Sequence, residues 1–381
     1  MPVQFIGAIG TNGGSESRPS RGPVVDKVYL GAIARAHEAA GFDRVLIGYF
    51  STAPDGFQIA AYAAQQTENL KFLLAHRPGF VAPTLAARQL ATLDQFIDGR
   101  LAVHIISGGS DAEQQRDGDF LTKAERYART DDYLDVVKRT WTAPAPFDHD
   151  GPYYQVRQSF AAVKPVQQPH LPVFFGGSSD EAIAVAGKHA DVFALWGETL
   201  EQTAETIARV RAAAAQHGRA DKIGFSLSLR PVLARTEDEA WARADRILAA
   251  ARAQRAKAEG AFPVQLFRNA DGAIPNVGSQ RLLAAAAGGR VRDKRLWTEI
   301  AALTGGSGNS TALVGTAEQV AESLLDYYDI GIDNFLIRGF DPFEDAIEYG
   351  RDLIPLVRAA VATRDADAGR PESRARSGQA G

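Results

Sequence analysis

Short apolar runs recur along this chain, and each is followed by a stretch in which apolar positions return every three or four residues. The first run, residues 3–9, reads as a buried strand. A loop rich in Gly, Ser and Pro covers 10–23, and residues 29–40 have helical periodicity that stops at Gly41. Residues 44–47 form a second strand, and Asp55 caps a helix that continues through Gln66. Third and fourth strands fall at 70–75 and 101–106, separated by a helix over 83–97 that Gly99 closes. A polar loop over 107–119 leads into a helix around 123–140. From 143 to 172 the pattern changes to proline, aromatics and polar alternation, which predicts a small hairpin or extended excursion.

The alternation then resumes. Strands are predicted at 172–175, 191–195 and 223–234, with helices at 180–189, 200–217 and 236–255; the last opens on a T-E-D-E capping box. Residues 256–310 are too long for a bare loop and are read as a lid-like insertion with short helices. A helix over 316–328, an eighth strand at 334–338 and a final helix over 342–362 complete the pattern. Eight βα alternations without a composition break predict a single (β/α)8 TIM barrel over residues 1–363. Residues 364–381, rich in Arg, Asp, Ser and Gly, are expected to be a disordered tail.

In such a barrel chemistry sits just beyond the strand ends. That rule selects Thr11, Tyr49, His76, Ser107, Gly177, Trp196, Arg230 and Arg338. The turn V-F-F-G-G-S-S-D at 173–180 is the sharpest of these places. Gly176 and Gly177 allow close backbone approach, and Ser178 and Ser179 place hydroxyls beside the free amides of a helix start, as phosphate binding requires. An ordinary capped turn has the same composition. Lys123, Arg126 and Tyr127 add two cations and a phenol suited to phosphate oxygens; otherwise Lys123 lies on a solvated face, Arg126 makes a structural pair with a Glu or Asp, and Tyr127 packs in the core. His104 either points into the barrel or is a satisfied core histidine. His76 has a functional address, and Arg77 beside it either shares that role or supports the turn. Arg230 demands a counter-anion, from a ligand or from a structural carboxylate. Trp196 and Phe340 either stack on a planar ligand or fill the mouth.

Composition narrows the function classes. Of 381 residues, 45% are hydrophobic and 23% charged, enough for a large core, while a net charge of -4 without a basic stripe argues against nucleic acid as a partner. The absence of cysteine removes disulfides, thiolate metal sites and a cysteine nucleophile. No H-E-x-x-H pair, Walker loop, G-x-S-x-G elbow or G-x-G-x-x-G opening a helix after the first strand occurs, so no metal site is expected and nicotinamide-binding Rossmann chemistry is disfavoured. With no basic n-region, long apolar run or spanning segment, a cytoplasmic location off the membrane is expected.

Several stretches together resemble the bacterial-luciferase-like flavin monooxygenases, and within them the alkanesulfonate monooxygenase group. They are L-K-F-L-L-A-H-R-P at 70–78, P-T-L-A-A-R-Q-L-A-T-L-D at 83–94, G-D-F-L-T-K-A-E-R-Y at 118–127, G-G-S-S-D at 176–180, A-L-W-G-E at 194–198 and T-A-L-V-G at 311–315. The resemblance implies reduced FMN (FMNH2) as cofactor, delivered by an NAD(P)H-dependent FMN reductase, with O2 and a small organosulfonate as substrates and a homo-oligomeric assembly. It implies a flavin site made by Asp55, His104, Ser107, Lys123, Tyr127, Gly177, Ser178 and Ser179. The catalytic candidates are Arg230, Trp196 and His76, and the substrate-binding candidates are Arg230, Arg338 and Asn309.

The departures concentrate on the substrate half. Where the sulfonate enzymes carry a cysteine after strand two, this chain has Tyr49, Phe50 and Ser51; where they carry Arg-x-His on strand seven, it has Ser228 and Arg230. Their insertion arginine falls near Thr304, and their tyrosine after strand eight becomes Phe340. A more polar sulfonate, such as a sulfosugar, is therefore expected beside simple alkanesulfonates. A flavin- or deazaflavin-dependent oxidoreductase and a non-catalytic flavin-binding protein are the alternatives.

Overall fold

The computed structural model describes residues 3–258, 276–306 and 308–367. Its strands, in chain order, are β1 Gln4–Ile9, β2 Arg44–Ile47, β3 Lys71–His76, β4 Leu101–Ile105, β5 Phe147–Asp150, β6 Gln155–Ser159, β7 Val173–Gly176, β8 Val192–Trp196, β9 Gly224–Leu233, β10 Val291–Arg292, β11 Leu296–Trp297, β12 Ala312–Gly315 and β13 Asn334–Ile337. Eight of them, β1-β2-β3-β4-β7-β8-β9-β13, pair in parallel, and β13 returns to β1 to close the barrel. The eight predicted strands all occur. The excursion at 143–172 contains the antiparallel hairpin β5–β6.

The two-residue period of a strand decides which side chains face the lumen. Ile6, Leu73, Ala102 and Phe174 pack together inside the barrel with Leu46, Val192 and Leu336. Their alternates, among them Phe72, Leu74, Val103, Phe175, Phe225, Leu227 and Leu229, join the large core beneath the helix layer. Continuing the inward set upward gives His104 on β4, Gly176 on β7, Trp196 on β8 and Ser228 with Arg230 on β9, and just beyond β13 it reaches Arg338. The registers Ala75↔His104 and Trp196↔Ser228↔Leu336 hold these residues at comparable height.

The upper half of β9 outlasts the barrel. There β12 takes over from β8 as its neighbour, with Ala312 opposite Arg230, and β11 and β10 extend the sheet antiparallel. A second core of Val232, Ala244, Leu248, Trp297, Ile300, Val314 and Phe340 fills the space under this flap. The stretch expected to form a lid thus contributes helices at Val277–Ala287 and Glu299–Thr304 and a small sheet; 259–275 lies outside the described residues.

Three local features differ from the sequence pattern. The polar loop at 107–119 contains a short helix, Asp111–Arg116, capped by the Ser110 side chain. The last helix is not uniform: Tyr349–Leu353 forms a π-helical turn between Pro342–Glu348 and Ile354–Asp367. Pro355 explains it, because a proline ring collides with the carbonyl four residues earlier and a widened turn relieves the clash. That helix also continues to Asp367, four residues into the expected tail; 368–381 lies outside the described residues. Among the described residues no helix is long and apolar enough to cross a membrane.

Candidate functional site

The turn after β7 is built from small residues because its surroundings leave no room. Gly177 has φ 147°, and a Cβ there would lie 2.7 Å from the Ala182 Cβ and 2.9 Å from the Tyr127 hydroxyl. Ser179 then caps the helix Asp180–His189, accepting from the Ala182 amide at 3.4 Å. Tyr127, in the first turns of the helix Lys123–Thr142, is buried; burial raises its phenol above the ordinary value, and the Ser179 side chain acts against that rise. Lys123 begins that helix, and its charge helps to hold down the Glu181 carboxyl, whose main support is its own backbone hydrogen bond. The structure therefore brings Lys123, Tyr127, Gly177, Ser178 and Ser179 to one helix head.

His104 approaches this turn from inside the barrel, its Cε1 3.5 Å from where a Gly176 Cβ would stand. Burial lowers its pKa to about 4, so the ring is neutral at pH 7, and its Nδ1 has no hydrogen-bond partner among the described residues. Ser107, one residue out of phase with the inward set, faces the helix layer at 3.0 Å from the Thr130 hydroxyl. Thr130 donates to the Arg126 carbonyl at 2.7 Å, so Ser107 is the donor of that pair and keeps its lone pairs for other partners. Asp55 is exposed and caps the helix Gly56–Ala64 by accepting from the Gln58 amide at 3.0 Å.

On the opposite wall stand the arginines. Arg230 is fully buried: Nη1 donates to Glu16 at 2.8 Å, Nε and Nη2 donate to the carbonyls of Arg338 and Gly339 at 3.3 and 2.9 Å, and the guanidinium carbon lies 3.5 Å from the Phe340 ring centroid. Burial lowers its pKa to about 10, with Arg338 acting in the same direction and Glu16 opposing. Arg338 donates from Nη2 to the second Glu16 oxygen at 2.7 Å. Burial alone would raise the Glu16 carboxyl, but the two arginines hold it at about 2. Of the two partners expected for Arg230, a ligand anion or a structural carboxylate, the structure supplies the carboxylate, Glu16. Phe340 fills the space under the guanidinium.

Trp196 and Asn309 lie where the insertion meets the mouth. A Cβ on Gly278 would sit 2.8 Å from the Trp196 ring, and one on Gly109 would sit 2.8 Å from Asn276 Nδ2, so the start of the helix Val277–Ala287 spans from the loop after β4 to the end of β8. Thr311 donates to the Gly197 carbonyl at 2.6 Å, which fixes the preceding residues beside β8. There both amide atoms of Asn309 and the Ser310 hydroxyl are buried without partners among the described residues.

His76 does not join this group. It shares the outward phase of Phe72 and Leu74, bonds Tyr133 at 2.7 Å and meets Phe57 edge-on. Burial lowers its pKa to about 4, as expected of a neutral core histidine. One step of strand phase thus sets this catalytic candidate in the helix layer, away from the lumen-facing residues. Arg77 beside it donates to Glu113 at 2.6 Å and covers the Tyr49 ring at 4.6 Å, supporting the turn.

Sequence reasoning missed Glu16 and Arg281. Glu16 lay in a loop without periodicity; its only signal was a lone acid facing two unpaired strand-end arginines. Arg281 anchors the insertion helix through Glu198 at 2.8 Å, Glu205 at 3.0 Å and the Gln202 carbonyl at 2.9 Å. Elsewhere, Asp131, Asp135 and His189 could group around an ion, but Lys188 already lies 2.9 and 2.7 Å from the two carboxylates and supplies the positive charge.

Known proteins place these observations in context. The profile of the luciferase-like monooxygenase family matches residues 8–334. A riboflavin lyase solved with modified FMN and riboflavin superimposes with a TM-score of 0.76 at 18% identity, over 95% of this chain and 92% of that one. An EDTA monooxygenase from Chelativorans sp. BNC1 gives 0.75 at 19% identity, with 94% of each chain covered. An F420-dependent secondary alcohol dehydrogenase gives 0.67 at 18% identity, over 94% and 99%. At these identities the likeness to solved structures concerns the fold.

Proposed function

This chain belongs to the luciferase-like monooxygenase family, and from that premise we propose that it is a two-component, FMNH2-dependent monooxygenase acting on a small organosulfonate of the alkanesulfonate type or a more polar one such as a sulfosugar. The observation that carries the reading is the helix head at Gly177–Ser179, crowded so that only glycine fits and roofed by the Tyr127 hydroxyl. The residues fit a flavin phosphate: Ser178, Ser179, Tyr127 and Lys123 surround free helix amides. His104, neutral and with an unpartnered Nδ1, stands on the neighbouring strand beside this turn and would offer that nitrogen to a bound flavin. Reduced FMN, supplied by an NAD(P)H-dependent reductase, provides the electrons that activate O2.

The protein's own residues do the remaining work. Arg338, with Asn309, receives the substrate's charged group, while Trp196 and the start of the insertion helix cover the mouth and exclude water. For an alkanesulfonate the balance is RCH2SO3⁻ + O2 + FMNH2 giving RCHO, HSO3⁻, FMN and H2O. The test is sulfite release and O2 uptake with a panel of chain, sugar and aromatic sulfonates, using FMNH2 from a separate reductase. Product aldehyde with sulfite supports the reading; a blank across the panel removes the sulfonate.

A second reading is deazaflavin-dependent hydride transfer, favoured by the shared fold of the F420-dependent dehydrogenase. It requires tight F420 binding and turnover without O2, which an anaerobic assay separates.

A further inference from the structure

The loop after β1 brings one carboxylate to two guanidiniums, and the two are not equally served. Arg230 has a partner for every nitrogen and an aromatic ring against its face. A guanidinium in that state has no accessible donor for a substrate. Arg338 differs: one nitrogen reaches Glu16, its Nε is buried without a partner among the described residues, and its side chain is 34% exposed. Toward the lumen, two positive groups face one negative group and leave a single excess positive charge. The neighbouring charges are accounted for separately. Arg18 pairs with Asp341, and in the helix layer Arg243 is shared by Asp345 and Glu348 at 2.6 and 2.8 Å.

Glu16 is held in place from several sides. Ser15 donates to the Phe340 carbonyl at 2.6 Å, and Gln254 donates to the Ser15 carbonyl at 2.8 Å. The carboxylate is thus a built part of the mouth. Resting on the anionic-substrate reading above, we infer that Glu16 is a specificity-determining residue: by occupying one side of the Arg230–Arg338 pair, it leaves charge and donors for a monoanionic headgroup and disfavours a dianionic one. Arg230 acts as a positioning residue that fixes Glu16 and, through it, Arg338.

Methanesulfonate and sulfate share a tetrahedral shape and differ by one charge at pH 7, so their dissociation constants test the assignment. Titration calorimetry on the full-length protein, at fixed ionic strength and with saturating FMN to fill the phosphate site, gives the ratio. Wild type is expected to prefer methanesulfonate. Glu16→Gln adds one net positive charge and should improve sulfate relative to methanesulfonate by at least about tenfold, whereas Glu16→Asp keeps the wild-type ratio. Arg338→Met, which removes the excess positive charge and leaves Glu16 paired with Arg230 alone, should abolish methanesulfonate binding. An unchanged ratio in Glu16→Gln, or methanesulfonate binding retained in Arg338→Met, overturns the role of Glu16 while the anionic-substrate reading survives. Wild type that binds FMN but neither anion overturns both.

Discussion

Single residues at this mouth separate fold from chemistry. Gly177 is the clearest case, because its positive φ and two contacts under 3 Å leave nowhere for a methyl group. Gly177→Ala should cost on the order of 1–3 kcal/mol and weaken FMN binding by more than about tenfold; denaturant unfolding and flavin titration on one sample read both. Tyr127→Phe removes only a hydroxyl and should spare folding while weakening FMN about five- to tenfold. Equal FMN affinity in that variant would place the phosphate elsewhere. Arg230 belongs with the structural residues. Arg230→Ala strands two carbonyls and half of the Glu16 carboxylate, so a loss on the order of 2–4 kcal/mol is expected in unfolding experiments.

At the scale of elements, the insertion is held by side chains that hydrophobic periodicity does not report. Arg281 ties the helix Val277–Ala287 to Glu198, a carboxylate only 2% exposed, and to the helix Leu200–Ala215. Arg281→Met should raise amide exchange across 277–287 and leave the barrel strands protected; protection unchanged at 277–287 would show that packing alone holds the helix. The eight barrel strands were legible because each is an apolar run bounded by Gly, Pro or a polar turn. Strand β12 was not: T-A-L-V-G is short, and it becomes a strand only because β9 extends past the barrel and offers an unpaired edge. The helix Asp111–Arg116 was equally hidden, since its support is tertiary: Glu113 reaches Arg77, and Gln114 reaches the Ser107 carbonyl.

Across the whole molecule, buried titratable groups set the response to acid. His37, His76 and His104 are each lowered to about 4 by burial, so the folded state favours their neutral form. That contribution is complete above the unfolded value near 6.5 and is lost as pH falls from there toward 4, by on the order of 3 kcal/mol for a fully buried ring. Asp345, pushed up to about 6 by burial, works in the opposite sense. Glu16, held near 2, adds a further loss below about 4.5. His170 and His189 are lowered as well, and Asp94, Glu198 and Asp333 are raised beside Asp345. Because the three fully buried histidines carry the large shifts to about 4, Tm is predicted to fall between pH 6.5 and 4, and a flat profile in scanning calorimetry would contradict it.

The sequence by itself determined the barrel, its strand and helix order, and the glycine–serine turn, because these depend on local periodicity and on residues whose backbone freedom is intrinsic. Only the tertiary structure decided which strand-end residues share the lumen. One step of strand phase sends His76 to the helix layer and His104 to the mouth. A loop without local pattern delivers Glu16 to Arg230 across more than two hundred residues. The charge on the mouth is set by such a long-range pairing, and nothing local in the chain records it.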